Sequence, residues 1–398
     1  MSTPLRVALI ASNRFPLRQP FAGGLEAHVW HLARALVELG HHVSLFAAAG
    51  SDASLYCAAL NVQELTLSPA AQTDSSMTST AFMTDHHAYL SLMMELADRA
   101  NDFDIIHNHS LHHLPVAMAP MVSTPMLTTV HTPPTPWLES ALQATGGAGT
   151  RFAAVSRHTA AAWHHAVPDM AVVPNGVDAR HWPLGPGGRS LVWFGRITGE
   201  KAPHLAVAAA RRAGLPLILA GPVSDGDYFE RFIVPCLGDE ARYAGHLDHG
   251  ELAGLVGRSA AALVTPMWDE PYGLVVAEAM SCGTPVVAFA RGGIPEIVAP
   301  HGGRLVPPGD VEVMAAAIPT AIDLSRRGVH RHAIARCSAG AMVSAYLRLY
   351  RATINDPSEE DHDRLLHPPS RSWPPAPCRQ HLCSAAPTGH RTDLAGHP

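Results

Sequence analysis

The chain has 398 residues, a net charge of −6, and 47% hydrophobic against 16% charged side chains. That length exceeds the ~250–300 residues one hydrophobic core serves, so two domains are expected. The apolar content excludes global disorder, the acidic balance lacks a nucleic-acid binder's basic footprint, and no run reaches the ~18 apolar residues of a membrane span.

The opening apolar stretch, residues 7–11, is too short for the core of a signal peptide, and a cytoplasmic location is expected. Of the 28 basic residues only Lys201 is a lysine. An Arg excess of that size fits a coding bias, and against it a lone Lys marks its position. The six cysteines form no C-x-x-C pair, so a metal cluster or redox dithiol is unsupported.

The first strand is expected over residues 5–11, a continuous apolar run suited to a strand buried on both faces. A long loop leads to Gly23-Gly24. Residues 25–39 then place Val29, Leu32, Ala33, Leu36 and Leu39 at helical spacing, with Gly40 as the C-terminal cap. Residues 43–47 read as the next strand, which completes the seed of a parallel sheet with right-handed crossovers. A helix is expected at 78–100 and strands at 104–107, 126–131, 152–156 and 170–174. The Gly- and Pro-rich stretch 179–189 reads as a linker.

Beyond it the alternation restarts. Strands are expected at 191–195, 217–220, 262–265 and 285–290, and helices at 202–213, 228–234, 251–256, 274–281 and about 339–352. The fold class is therefore α/β, with parallel-sheet domains at 1–178 and 190–338. Ligands of such sheets bind beyond the carboxyl ends of the strands, so the cleft between the domains is the expected site. Residues 355–398 hold eight Pro and no Val, Ile, Phe or Met, and a disordered tail is expected there.

The richest constellation is Asp269-Glu270-Pro271-Tyr272-Gly273-Leu274-Val275-Val276-Ala277-Glu278. It lies between a strand and a helix that begins near Gly273, where backbone N–H groups and the positive helix end suit a phosphate. Glu278 stands among apolar neighbours and needs a partner. A second group, Gly195-Arg196-Ile197-Thr198-Gly199-Glu200-Lys201, follows the strand at 191–195. Two cations there would clamp a diphosphate.

Together with Gly23-Gly24, Pro174-Asn175-Gly176-Val177-Asp178 and Gly292-Gly293-Ile294-Pro295-Glu296, these residues resemble the retaining glycosyltransferases of family 4. The resemblance covers roughly residues 5–353. It implies the GT-B architecture, two Rossmann-like domains facing across a cleft, with the terminal helix 339–354 returning to the first domain. It also implies transfer of a hexosyl unit from a nucleotide-diphosphate sugar with retention of configuration, without metal or other cofactor. Arg196 and Lys201 would neutralise the diphosphate, Glu278 would hold the ribose, and Glu270 would hold the transferred sugar with backbone N–H groups near Gly273 and Leu274. His131, in Thr129-Val130-His131, would stand beside the sugar. Gly23 and Gly24 would let the first loop reach the phosphates or the acceptor, which is a small molecule, a glycan or a lipid-linked group.

Other patterns have plainer readings. His107-x-His109 with His112 and His113 has the look of a metal set, but the chain carries 26 His and no metal site is expected. Asp225-Gly226-Asp227 imitates the D-x-D of metal-dependent transferases, but precedes a helix it would cap. An oxidoreductase would need G-x-G-x-x-G directly after a strand, which the dozen-residue first loop lacks. The alternative kept is a nucleotide-sugar epimerase of the same two-domain architecture. The wording around Trp268 and Ala220-Gly221-Pro222 leans toward a UDP-glucose-type donor.

Overall fold

The structure, a computed structural model, describes residues 3–60, 64–76 and 78–355. The expected tail, residues 355–398, lies outside these apart from Asn355. Two all-parallel sheets organise the chain. The first has seven strands: β1 (Arg6–Ile10), β2 (His42–Phe46), β3 (Ala58–Ala59), β4 (Ile105–Asn108), β5 (Met126–Val130), β6 (Arg151–Ala154) and β7 (Ala171–Val172). Their spatial order is β3-β2-β1-β4-β5-β6-β7. The second has six: β8 (Leu191–Phe194), β9 (Leu217–Ala220), β10 (Ala241–Tyr243), β11 (Ala262–Val264), β12 (Val286–Phe289) and β13 (Gly303–Val306). Their order is β10-β9-β8-β11-β12-β13.

The central strands β1, β4, β5, β8, β9 and β12 are buried almost throughout, which is why their sequences are unbroken apolar runs rather than alternating ones. In each sheet the chain winds one way from one central strand and the other way from its neighbour. These reversals lie between β1 and β4 and between β8 and β11. Crevices open at such points, beyond the carboxyl ends of the strands.

The last helix, Ala339–Asn355, crosses back onto the first domain. Its Met342, Val343, Tyr346 and Tyr350 join the core formed by Val7, Leu9, Val29 and Leu32, and both tyrosines are fully buried. Gly176 lies so close to Ala339 that a Cβ there would stand 2.4 Å from its Cα. Among the described residues no helix is long and apolar enough to cross a membrane.

Several expectations need correction. The helix expected at 228–234 is instead a short turn, Gly226–Tyr228, that runs into a π-helical turn, Phe229–Ile233, and a 3-10 turn, Val234–Cys236. Pro235, lacking an N–H, cannot continue a regular α-helix there. The strand expected at 170–174 shrinks to two residues. Strands β10 and β13 and the helices Val311–Ile322 and Arg326–Arg336 were not anticipated. Pro319 interrupts the helical pattern of the first helix, and the second buries only Val329, His332 and Ala333, too few to write a stripe.

Candidate active site

The second crevice is flanked by the loops after β8 and β11, and these carry the motif residues. Beyond β8 the chain presents Arg196 and Lys201 to a cleft of about 380 Å³. Lys201 is aimed by an unusual backbone step: Ala202 sits at φ 46° and ψ 52°, a left-handed conformation that costs an L-residue about 1–2 kcal/mol. Thr265 Oγ1 lies 3.0 Å from the carbonyl oxygens of both Lys201 and Ala202, which holds the step in place.

Lys201 Nζ is hydrogen-bonded to Glu270 Oε1 and stands 5.0 Å above the Trp268 ring. Trp268 Nε1 donates to the same carboxylate oxygen at 2.9 Å. Arg196 Nη2 donates to Glu200 Oε1 at 2.8 Å. Each proposed phosphate-binding cation therefore rests on a carboxylate of its own domain. An anionic ligand could replace either partner without burying a bare charge.

The Glu270 loop is locked from two sides. Gly292, at φ 63°, passes so close that a Cβ would fall 2.1 Å from the Glu270 carbonyl oxygen, so glycine is required there. Gly293 N donates to that same oxygen at 2.7 Å. From the first domain, Ser156 Oγ and Thr159 Oγ1 donate to the Pro271 carbonyl at 2.5 and 3.1 Å. Glu296 reaches the other way and accepts the N–H groups of Arg157 and His158 at 3.0 and 2.7 Å, capping the helix Arg157–Trp163. These bonds tie the Glu270 loop to the opposing domain.

Gly273, at φ 98°, turns the chain into the helix Leu274–Ser281; a Cβ there would strike Ile294 at 2.9 Å. Glu278 lies inside that helix and lines the cleft, with no hydrogen bond or ion pair to its carboxyl among the described residues. Burial raises its pKa to about 8. The partner the sequence demanded is not supplied by any of the described residues.

The first domain contributes a different surface. The loop after β1 ends at Gly23 and Gly24, which face Arg196 and Leu274 across the cleft; a Cβ added there would come within 3.9 Å of Arg196 and 3.8 Å of Leu274. Glu26, three residues on, is buried; burial raises its pKa, opposed by the charges of Arg196 and Arg14. Sequence reasoning passed over this residue, although a carboxylate in the first turn after Gly-Gly was a signal. Glu296 was noticed only as part of a motif, since its capping role depends on the other domain.

His131, just beyond β5, lines the cleft. Its Nε2 lies 2.9 Å from His109 Nδ1, and His109 Nε2 lies 3.1 Å from His107 Nδ1. His107 in turn meets Thr129 Oγ1 at 2.8 Å and the hydroxyl of Tyr350 at 2.6 Å. Burial lowers the pKa of His131 to about 3, so the ring stays neutral. His112 and His113 do not join this group; they stack in a row between Tyr89 and Trp137. Asp225 caps the turn at Gly226–Tyr228, as expected.

Comparison with known proteins agrees with this architecture. Residues 22–181 match the model of Glycosyltransferase Family 4, and residues 180–336 that of Glycosyl transferases group 1. A glycogen synthase of Mycobacterium tuberculosis is 30% identical over 351 residues, spanning 76% of this chain and 83% of that protein. A D-inositol 3-phosphate glycosyltransferase of Mycolicibacterium smegmatis is 27% identical, spanning 89% and 93%. Among solved structures, the sucrose-phosphate synthase of Thermosynechococcus elongatus superimposes with a TM-score of 0.69 at 22% identity, over 88% of this chain and 99% of that one. Anabaena HepE in complex with UDP-glucose gives 0.67 at 18% identity, over 87% and 100%. With its two sheets, its cleft and these relatives, the chain belongs to family 4 of the GT-B glycosyltransferases, enzymes that use nucleotide-sugar donors.

Proposed function

We propose that this enzyme moves a hexosyl unit from a UDP-glucose-type donor to an acceptor hydroxyl, with retention of configuration and without a metal at the diphosphate. The observation that carries the reading is the convergence of Arg196, Lys201, Glu270 and Glu278 on one crevice, with Glu278 left unpartnered. A nucleoside diphosphate would draw Lys201 from Glu270 and Arg196 from Glu200. The freed Glu270 carboxylate would then accept hydroxyl hydrogens of the sugar, and Glu278 would meet the ribose hydroxyls. Backbone N–H groups at Gly273 and Leu274 would complete the cradle.

In the transfer step the bond between the anomeric carbon and the β-phosphate oxygen breaks, and negative charge grows on the diphosphate. Arg196 and Lys201 stabilise that charge, which is the main service the protein renders. The acceptor oxygen bonds to the anomeric carbon from the same face, and its proton passes to the departing phosphate oxygen. No carboxylate nucleophile is required. Neutral His131 would hydrogen-bond the sugar from the first domain without adding charge. The donor lean toward UDP-glucose rests on the wording around Trp268 and gains support from HepE, whose structure holds UDP-glucose.

The test is a melting screen with UDP, GDP and ADP sugars, followed by analysis of turnover in EDTA. UDP-glucose should give the largest stabilisation, and its turnover should survive the chelator. Loss of turnover in EDTA, restored by Mn²⁺, would overturn the metal-free diphosphate site.

A further inference from the structure

Behind His131, which borders the cleft, stand two further histidines, His28 and His109, that the transfer reaction leaves unexplained. His28 lies on the helix Gly24–Glu38 and is only 2% exposed. Among the described residues neither of its ring nitrogens has a hydrogen-bond partner. A neutral imidazole carries one donor and one acceptor, and leaving both bare in the interior is costly. The ring sits with its centroid 5.2 Å from that of His109 and 5.0 Å from that of His131. One nitrogen from each of the three rings falls within 4.8 Å of the others.

We propose that His28, His109 and His131 form a binding site for a divalent transition-metal ion of the zinc type, and that filling it shuts off sugar transfer. Three imidazoles with one open position are a recognised coordination set for such an ion. Zn–N bonds of 2.0–2.1 Å in a tetrahedron require nitrogens about 3.3 Å apart. The widest pair would have to close by up to about 1.5 Å, from the 4.8 Å limit. Rotation of His28, which no hydrogen bond restrains, supplies much of that movement.

The surroundings are built for it. His109 turns Nδ1 toward His131, while its Nε2 is held by His107, itself fixed by Thr129. Metal-bound imidazoles are oriented by such bonds to the second nitrogen. His131 borders the cleft, which provides both an entry path and the open coordination position. An ion there would take His131 away from the sugar and place a cation where the donor's hexose must lie. This inhibitory half rests on the reading of His131 given above; the binding half does not.

The experiment is a Co²⁺ titration of the full chain, read by the visible absorption of four-coordinate Co²⁺, beside donor turnover with and without Zn²⁺. The wild-type protein should gain this spectrum at one equivalent, and Zn²⁺ should displace it. Zn²⁺ should also inhibit turnover, with EDTA restoring it. The substitutions His28→Leu and His28→Gln should each weaken Co²⁺ binding by at least ~10–100-fold and release turnover from Zn²⁺ in parallel. Two variants guard against one that fails to fold, and the melting curve of each verifies folding. Absence of the spectrum, or the same spectrum in both folded variants, would overturn the site. Spectroscopic binding without Zn²⁺ inhibition would overturn the switch. If the chain turned over no nucleotide sugar at all, the transferase reading would fall while the Co²⁺ spectrum still judged the metal site.

Discussion

The two walls of the cleft solve opposite electrostatic problems. The second domain lines its wall with ion pairs, Lys201 on the buried Glu270 and Arg196 on Glu200, whose other members are partly exposed. From the first domain His131 borders the cleft, backed by His109 and His107, which burial keeps neutral and which join Thr129 and Tyr350 in one hydrogen-bonded row. Under the proposed function one wall would receive the diphosphate and the other would touch the uncharged sugar ring, so that chemistry as well as shape would place the donor. That division would also explain why the loop bearing Glu270 is fastened to both domains, since it lies where the two tasks meet.

The comparison is broken most severely by removing the lone lysine. Lys201→Ala should raise the barrier to turnover by ~2.7–4 kcal/mol, a loss of roughly 10²–10³-fold in kcat. Near-normal kinetics would take Lys201 out of the site. Glu278 sharpens the contrast through pH. Its carboxyl ionises only near about 8 when folded, against 4.5 ordinarily. The stability it confers is therefore complete below pH 4.5 and declines as pH rises toward 8, because the unfolded chain releases that proton first. Melting curves across this range should show a fall in the wild type that Glu278→Gln reduces. An identical slope in both would assign the effect elsewhere. The smallest effect falls on the neutral wall. Tyr350→Phe removes the hydroxyl beside His107 and should cost about 1 kcal/mol of stability with little change in nucleotide affinity. A large loss of affinity would mean the walls are not separate.

Much of this was legible in the sequence, for a physical reason. Strands buried on both faces, such as Val7–Ile10 and Leu191–Phe194, write unbroken apolar runs, and Gly273 and Gly292 mark turns that side chains forbid. The charged wall was legible because its residues sit in short loops after strands, where local spacing carries the geometry. The neutral wall was not. His28, His109 and His131 come from a helix and two strand ends, and only the order of β1, β4 and β5 brings them together. Glu296 illustrates the same limit: its partners, the N–H groups of Arg157 and His158, lie about 139 positions away in the other domain. The helix Arg326–Arg336 stayed hidden because it is mostly solvated and carries no apolar stripe.

The division of labour between the walls, and within the charged one, is tested most directly by calorimetric titration of free UDP into the wild type, Glu278→Gln and Glu270→Gln. Glu278 is assigned to the nucleoside and Glu270 to the sugar. Glu278→Gln should therefore weaken UDP binding by about tenfold, the scale of one hydrogen bond. Glu270→Gln should leave UDP affinity within a fewfold of wild type while abolishing transfer. Equal losses of UDP affinity in both variants, or no loss in Glu278→Gln, would contradict the account.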